Sequence, residues 1–389
     1  LRRKNIDEVI NPWADPKIRP FLQPGGKMVK DTTQITKFRS ERSNELVIAC
    51  CVEKHFISAV IYDVRLSRRY ARAARFGITL NYEKVVDSAN ELILRLMRES
   101  GVRGNCVRSI GFAAQGGFAI MLEEGFDPGE LFLPPDIEVV FLPVMSLTMG
   151  SEPTAVLASA MKEPGSVLAA SFGHGLRAAS CTESGVKFAY IPMKGGIDGS
   201  ALETGMPLEI GAIDQMSREP DGTICYSVIG DGDGIGVSAP AAVQAVRIML
   251  DTGALDRDGI MTDRDLFYIG EDHYISQQDV RAVQSDKAAC RAALERLGNL
   301  TGYHERVIIS GEAFGSEQGA AAMAQLGAVP RGLGERYGWS RNPAEQGLIM
   351  CLTDPELLRR LTELCDSAVD ISAMIHDGFD DLYIKNLGF

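Results

Sequence analysis

The sequence has eight cysteines but no Cys-x-x-Cys pair. Zinc sites and iron–sulfur clusters usually draw ligands from such close pairs, so neither a cysteine-bound metal nor an iron–sulfur cluster is expected within this chain. The thiols instead lie mostly in apolar runs such as Val47-Ile48-Ala49-Cys50-Cys51-Val52. That placement fits buried free cysteines of a reducing compartment. Adjacent Cys50 and Cys51 would face opposite sides of a strand, which argues against a disulfide between them. The five histidines, at 55, 174, 273, 304 and 376, are far apart. No metalloprotease motif and no Ser/His/Asp or Cys/His arrangement stands out, and no metal site is assigned. No apolar stretch approaches twenty residues and no leader segment is evident, so the expectation is a cytoplasmic chain without a membrane span.

Aromatic residues make up 7% of the chain and are not interleaved with its basic clusters at a spacing that suggests base stacking. With a net charge of −12, this excludes nucleic acid as the expected partner. Two basic clusters remain. Residues 1–44 hold ten Lys/Arg against five Asp/Glu, and Arg65, Arg68, Arg69, Arg72 and Arg75 form a second group. Each reads as a solvated face or as a docking patch for an acidic partner.

The chain has 389 residues, 45% of them hydrophobic, enough for two or three cores. Residues 1–44, with Pro12, Pro16, Pro20, Pro24 and the Gly25-Gly26 pair, read as an irregular arm. Leu46–Val52 and Phe56–Val64 predict a hairpin, and the spacing of Val85, Val86, Ala89, Leu92, Ile93, Leu96 and Met97 predicts a helix over 82–100. Strands are expected at 106–112 and 139–144, and a helix at 153–161. Residues 118–122 are a short apolar run, helix or strand. A second unit begins near Gly165, with strands at 167–172, 176–181, 186–191, 226–229 and 307–310. Its helices are expected at 240–250, 277–297 and 355–367. Two similar α/β units in tandem imply a duplication with a cleft between them, the usual place for a ligand. The expected division is an arm over 1–44, a first subdomain over 45–164 and a second over 165–389.

Several segments in order resemble the reductive activators of corrinoid proteins. Gln277, Asp279, Val280, Arg281 and Gln284, followed by Lys287-Ala288-Ala289, match that family's signature helix start. Gly205-Met206 with Gly211-Ala212-Ile213, Leu255-Asp256-Arg257-Asp258-Gly259, and Asp370-Ile371-Ser372 with Phe379 and Phe389 resemble further family segments. The resemblance implies an α/β fold of two tandem ribonuclease H-like subdomains with a cleft between them. This is the ASKHA fold of actin, sugar kinases and heat-shock chaperones. It also implies ATP and Mg²⁺ as the family's cofactors and a corrinoid protein as its partner. The family's N-terminal ferredoxin-like domain has no matching cysteine set here, so electrons would have to come from another protein.

The resemblance also shows where the nucleotide motifs depart from the family. The first phosphate hairpin matches Cys50-Cys51-Val52-Glu53-Lys54-His55, which has neither glycine nor hydroxyl. Bulky side chains there obstruct the backbone approach that phosphate binding needs. The second reads Ser171-Phe172-Gly173-His174-Gly175, with glycines kept and the carboxylate replaced by Ser171. His174 is a phosphate donor, a partner contact or a turn residue. Glu152, after Gly150-Ser151, is the candidate catalytic acid for Mg²⁺ or water, or else a helix-start charge. The adenosine turn matches Gly311-Glu312-Ala313-Phe314-Gly315, with one residue more than the family. Gly173, His174, Gly175, Gly311, Glu312 and Gly315 are thus the nucleotide-binding candidates. Asp231-Gly232-Asp233-Gly234 lacks the distal glutamate of a calcium loop and reads as a turn.

The expected function is an accessory or docking factor with a degenerate nucleotide site. Its partner would be a corrinoid protein, another tetrapyrrole metalloprotein such as a nickel enzyme, or a methyltransferase. The alternative is an active ATP-dependent reductive activator. An ordinary sugar or acetate kinase fits less well, because it needs the same missing carboxylates. A homodimer is left open.

Overall fold

The computed structural model describes residues 30–35, 45–53, 56–76, 80–161, 164–173, 175–206, 211–230, 233–262, 265–269, 272–314, 316–334, 337–339 and 342–389. The first half is built on β1 (Lys30–Ile35), β2 (Leu46–Val52), β3 (Phe56–Asp63), β4 (Arg68–Phe76), β5 (Val107–Ala114) and β6 (Glu138–Phe141). Its helices are α1 (Val85–Ser100), α2 (Phe118–Gly125) and α3 (Glu152–Ala160). The sheet order is β1-β4-β3-β2-β5-β6. β2, β3 and β4 are antiparallel, whereas β5 pairs parallel to β2 and β6 parallel to β5.

The second half repeats the plan. Its strands are β7 (Val167–Phe172), β8 (Gly175–Thr182) and β9 (Gly185–Pro192). An inserted segment follows, with β10 (Ala212–Arg218), β11 (Ile224–Val228), β12 (Gly236–Val237), α4 (Ala239–Thr252), β13 (Leu266–Ile269) and β14 (His273–Ser276). Then come α5 (Gln277–Thr301), β15 (Arg306–Gly311), α6 (Glu317–Gln325), α7 (Arg331–Gly334) and β16 (Tyr337–Trp339). The chain continues through α8 (Pro343–Thr353), α9 (Pro355–Asp366), β17 (Val369–Asp370), α10 (Ser372–His376) and α11 (Phe379–Lys385). The main sheet runs β16-β15-β7-β8-β9-β17. Each half therefore places three antiparallel strands and two parallel ones in the order third, second, first, fourth, fifth, with a sixth strand added beside the third. This is the two-subdomain α/β architecture expected from the sequence, with a cleft between the halves.

β2 lies at the centre of the first sheet and is buried along its whole length, as its unbroken apolar sequence requires. Cys50 packs on the α1 side among Leu92 and Leu96. Cys51 faces the other side, toward α3 and α8. The two thiols do point to opposite faces, and all eight cysteines are free.

The core between the sheets contains an element that the sequence reading omitted. α8 lies between β16 and β17 of the second half in the chain but packs on the first sheet. A Cβ placed on Gly111 in β5 would meet Leu348 and Leu352 at 2.8–3.1 Å. Arg108 donates to the Leu352 carbonyl at 3.0 Å. A Cβ on Gly347 would lie 1.8 Å from the Ala155 carbonyl, so α3 and α8 cross with backbones nearly touching. Glycine at 347 lowers helix propensity, which hides this helix from sequence reading, but it permits the close crossing.

Three expectations need correction. Part of the arm is regular, since Lys30–Ile35 pairs antiparallel with β4; the rest of 1–44 lies outside the described residues. The strand expected to reach residue 144 stops at Phe141, two residues before Pro143. The Arg65–Arg75 group is not simply a solvated face. Arg72 Nε meets Glu345 Oε2 at 2.9 Å, and Arg69 Nη2 meets Oε1 at 2.6 Å, with Glu345 buried. These arginines fasten α8 to the first sheet. Among the described residues no helix is long and apolar enough to cross a membrane.

Candidate functional site

The two repeated hairpins, β2 to β3 and β7 to β8, differ in their turns. In the first, Glu53 N–H donates to the Phe56 carbonyl at 2.7 Å, closing the turn between β2 and β3. Lys54 and His55 lie outside the described residues. The Glu53 carboxylate accepts from Gln115 Nε2 at 3.3 Å. Gln115 is held beside it because its own N–H donates to the Val52 carbonyl at 2.9 Å.

Glu152 reaches the same place from α3. Gly150 adopts φ +69°, and a Cβ there would sit 2.3 Å from the Ala114 carbonyl and the Gly116 nitrogen. Only glycine lets these segments cross so closely. Ser151 then exchanges two bonds with Ala114: its N–H donates to the carbonyl at 2.7 Å and its Oγ accepts from the Ala114 N–H at 2.9 Å. Glu152 follows at the first position of the helix and is 3% exposed. The helix-start role raised by the sequence thus coexists with a position in the cleft.

Burial pushes the Glu152 carboxyl above the usual carboxylate range; Arg177 and the approach of Ser171 and Gln115 oppose this only in part. Among the described residues its Oε2 has no hydrogen-bond partner. Burial and the nearby Glu152 push Glu53 up to about 8, with Arg177 pulling the other way. Glu312, which follows β15, is raised well above its ordinary value by burial, then by Asp198 and Glu53, and its Oε2 is also unpartnered. Glu53 and Glu152 of the first half thus meet the Arg177 guanidinium of the second, and Glu312 of the second half lies close enough to Glu53 to feel its charge. Arg177 comes from β8, donates to the Thr148 carbonyl at 3.4 Å and lies 5.4 Å from the Tyr190 ring centroid.

The second hairpin, β7 to β8, keeps Gly173 and Gly175, but the two glycines differ. A Cβ on Gly173 would meet open space, whereas one on Gly175 would strike the Tyr190 ring at 2.6 Å. Gly175 is therefore required by packing, and Gly173 leaves room at the turn. Gly311 has φ +129°, and a Cβ there would lie 1.8 Å from the Phe172 carbonyl. Phe314 stacks on Phe172 with centroids 5.4 Å apart and is itself buried. The turn is thus pinned to the second hairpin. His174, Gly315, Asp231 and Gly232 lie outside the described residues.

The structure brings Glu53, Glu152, Ser171 and Glu312 together, while Gly173 lies at the turn two residues beyond Ser171. Gln115, Arg177 and Asp198 belong to the same cluster and were missed, because each sits in an ordinary sequence context and is recruited by topology. Among the described residues no group of three or more histidine, cysteine or carboxylate side chains is arranged to hold a metal ion. A separate groove of about 360 Å³ lies between β10, α4 and α6, lined by Met216, Arg218, Gln244, Arg247, Gln318 and Gln325. It contains none of the expected site residues.

The residues that carry the family resemblance form a structural knot. Ser276 and Asp279 make a reciprocal capping box at the start of α5. Asp279 also accepts from the Glu203 N–H at 2.8 Å. Gln277 donates to the Gly259 carbonyl, and Arg281 and Gln284 donate to that of Asp258, fastening the 255–259 loop to α5. Lys287 is 2% exposed and donates to the Asn386 and Gly388 carbonyls at 2.7 and 2.5 Å beneath the Phe389 ring. The signature therefore maintains the second half rather than touching the cleft acids.

Residues 196–389 match the family model described as the C-terminal domain of RACo, the ASKHA domain. A solved structure named reductive activator for corrinoid, iron-sulfur protein aligns with a TM-score of 0.72 at 14% identity, covering 92% of this chain and 70% of that one. A ROK family glucokinase from Streptomyces griseus (14% identity, 78% of this chain and 97% of that one) reaches only 0.39. The activator of the 2-hydroxyisocaproyl-CoA dehydratase from Clostridium difficile (11% identity, 83% and 96%) reaches 0.37. No curated protein matches the chain. In the sequence of its second half and the fold of nearly all of it, the chain resembles the ASKHA domain of the reductive activators of corrinoid proteins.

Proposed function

We propose that this chain serves a corrinoid-linked activation system as an accessory docking factor whose cleft no longer turns over ATP. The supporting observation is Glu53. It occupies the turn where a phosphate hairpin would present backbone N–H groups, and it faces the buried Glu152. Polyphosphate entering there would meet carboxyls in place of backbone N–H donors, and its charge would make their ionisation still harder. Mg²⁺ could offset that charge, but the donor set fits it poorly. A hard cation needs several oxygens in octahedral arrangement, and among the described residues no group of three or more carboxylates is arranged to hold one. The protein partner in this reading is a corrinoid protein, another tetrapyrrole metalloprotein or a methyltransferase.

The second reading, an active ATP-dependent activator, draws on the other hairpin. Gly173 leaves open space, and Glu152 stands at the start of α3 where an acid could orient water. Calorimetry with ATP and ADP in the presence of Mg²⁺ separates the two. The docking reading expects no heat up to millimolar nucleotide. Micromolar binding, lost in Gly173→Trp, would replace it with the activator. Gly173 is the appropriate probe, because tryptophan at Gly175 would collide with Tyr190 and confuse occlusion with misfolding.

A further inference from the structure

Beside the acid cluster lies an apolar ledge in which the Tyr82 ring packs on Phe118, centroids 5.1 Å apart, and still leaves surface exposed. Gln115, the partner of Glu53, begins a turn that continues through Gly116 and Gly117 to α2. A Cβ on Gly117 would meet the Tyr82 ring at 2.9 Å, and one on Gly116 would meet the Leu147 carbonyl at 3.8 Å. Tyr82 and Leu147 thus flank the turn that leads out of the cleft, and they are 58% and 64% exposed. The neighbouring Thr148 carbonyl is held by Arg177, so ledge and acid cluster share one framework. Met121 on α2 is a further exposed apolar side chain on this segment.

Acid and apolar surface together define a complement. Glu152 forms the buried floor, and among the described residues neither its Oε2 nor that of Glu312 has a hydrogen-bond partner. Glu53 and Glu312 bring partly exposed edges to the mouth. Carboxylates accept guanidinium or ammonium donors with charge-assisted bonds, which are the strongest available at such a surface. Apolar side chains on either side of the cation would cover Tyr82 and Leu147, removing exposed hydrophobic area.

We infer that this mouth docks a partner protein segment that places an arginine or lysine against Glu53, Glu152 and Glu312, with flanking apolar side chains on Tyr82 and Leu147. The inference rests on the docking reading above and names the chemistry of what docks. It also predicts a proton signature. A cation entering the cluster favours the ionised carboxyls, so Glu53, held near 8 among Glu152, Glu312, Asp198 and Arg177, releases protons on binding at neutral pH.

The test is calorimetry of the full chain with acetyl-Leu-Arg-Leu-amide against acetyl-Leu-Gln-Leu-amide, in two buffers of different ionisation enthalpy. The arginine peptide should bind about tenfold tighter than the glutamine peptide. It should also release protons in a buffer-dependent way. Glu53→Gln should abolish both the preference and the proton release. Leu147→Ser should weaken both peptides alike, by about threefold. Equal binding of the two peptides, no binding up to millimolar concentration, or a preference that survives both Glu53→Gln and Glu152→Gln overturns the inference. Spermidine matching the peptide would assign the cleft to free polycations and overturn the docking of a protein segment. Nucleotide calorimetry keeps the two conclusions separate. Micromolar ATP binding removes the docking reading itself, whereas silent nucleotide with indifferent peptides removes only this inference.

Discussion

The two halves share one strand order but not one chemistry. In the second, the hairpin between β7 and β8 keeps Gly173 and Gly175, and Gly311 approaches Phe172 so closely that no side chain fits. In the first, the equivalent turn between β2 and β3 holds Glu53, with its carboxyl directed to Gln115. The strands flanking each turn are built alike and buried alike. Topology depends on apolar periodicity and register, which both halves satisfy, whereas phosphate approach depends on a few turn residues. A duplicated fold can therefore lose the second without disturbing the first.

The largest expected effect lies where the halves are tied together. Glu345→Ala leaves Arg72 buried without its carboxylate, and denaturant unfolding should show a loss of about 3–5 kcal/mol. If the loss is under about 1 kcal/mol, the α8 clamp is not what joins the halves. Gly347→Ala should come next, at about 1–3 kcal/mol, because the new methyl must push α3 and α8 apart at the Ala155 carbonyl.

A smaller, pH-dependent effect separates the two hairpins. Glu53 titrates at about 8 in the fold against an ordinary 4.5, so between those values the folded chain holds more protons than the unfolded one. Stability therefore falls as pH rises through that interval. Glu53→Gln removes the penalty. Its melting temperature should exceed that of the wild type at pH 8 and match it near about pH 4, where the acid is protonated in both states. A gain that is constant with pH would mean that packing, not charge, explains the substitution. The smallest effect belongs to Gly173→Trp, expected within about 0.5 kcal/mol of wild type because its side chain enters open space. Gly175→Trp, driven into Tyr190, should melt well below it in the same thermal scan.

Much of the fold was legible because its signals are local. The apolar face of α1 from Val85 to Met97 and the unbroken apolar run of β2 are written in short spacings. α8 was not legible, since Gly347 and Glu345 look like loop residues until α3 and the Arg69–Arg72 pair are set against them. The site divides the same way. Ser171 and Gly173 were marked by a hairpin motif, Glu152 by the Gly150-Ser151 segment before it and Glu312 by the turn after a strand. Gln115, Arg177 and Asp198 were not, because no motif surrounds them.

By itself the sequence determined the period of each element, the free thiols on opposite faces of β2 and the absence of glycine from the first turn. These follow from side-chain spacing and backbone sterics within a few residues. The tertiary structure alone decided that Glu53, Glu152 and Glu312 converge on one cleft, that Arg177 crosses to join them, and that the family signature around α5 anchors loops and the closing segment. Desolvation and charge coupling arise only when residues far apart in the chain share a small volume, and no local pattern encodes that meeting.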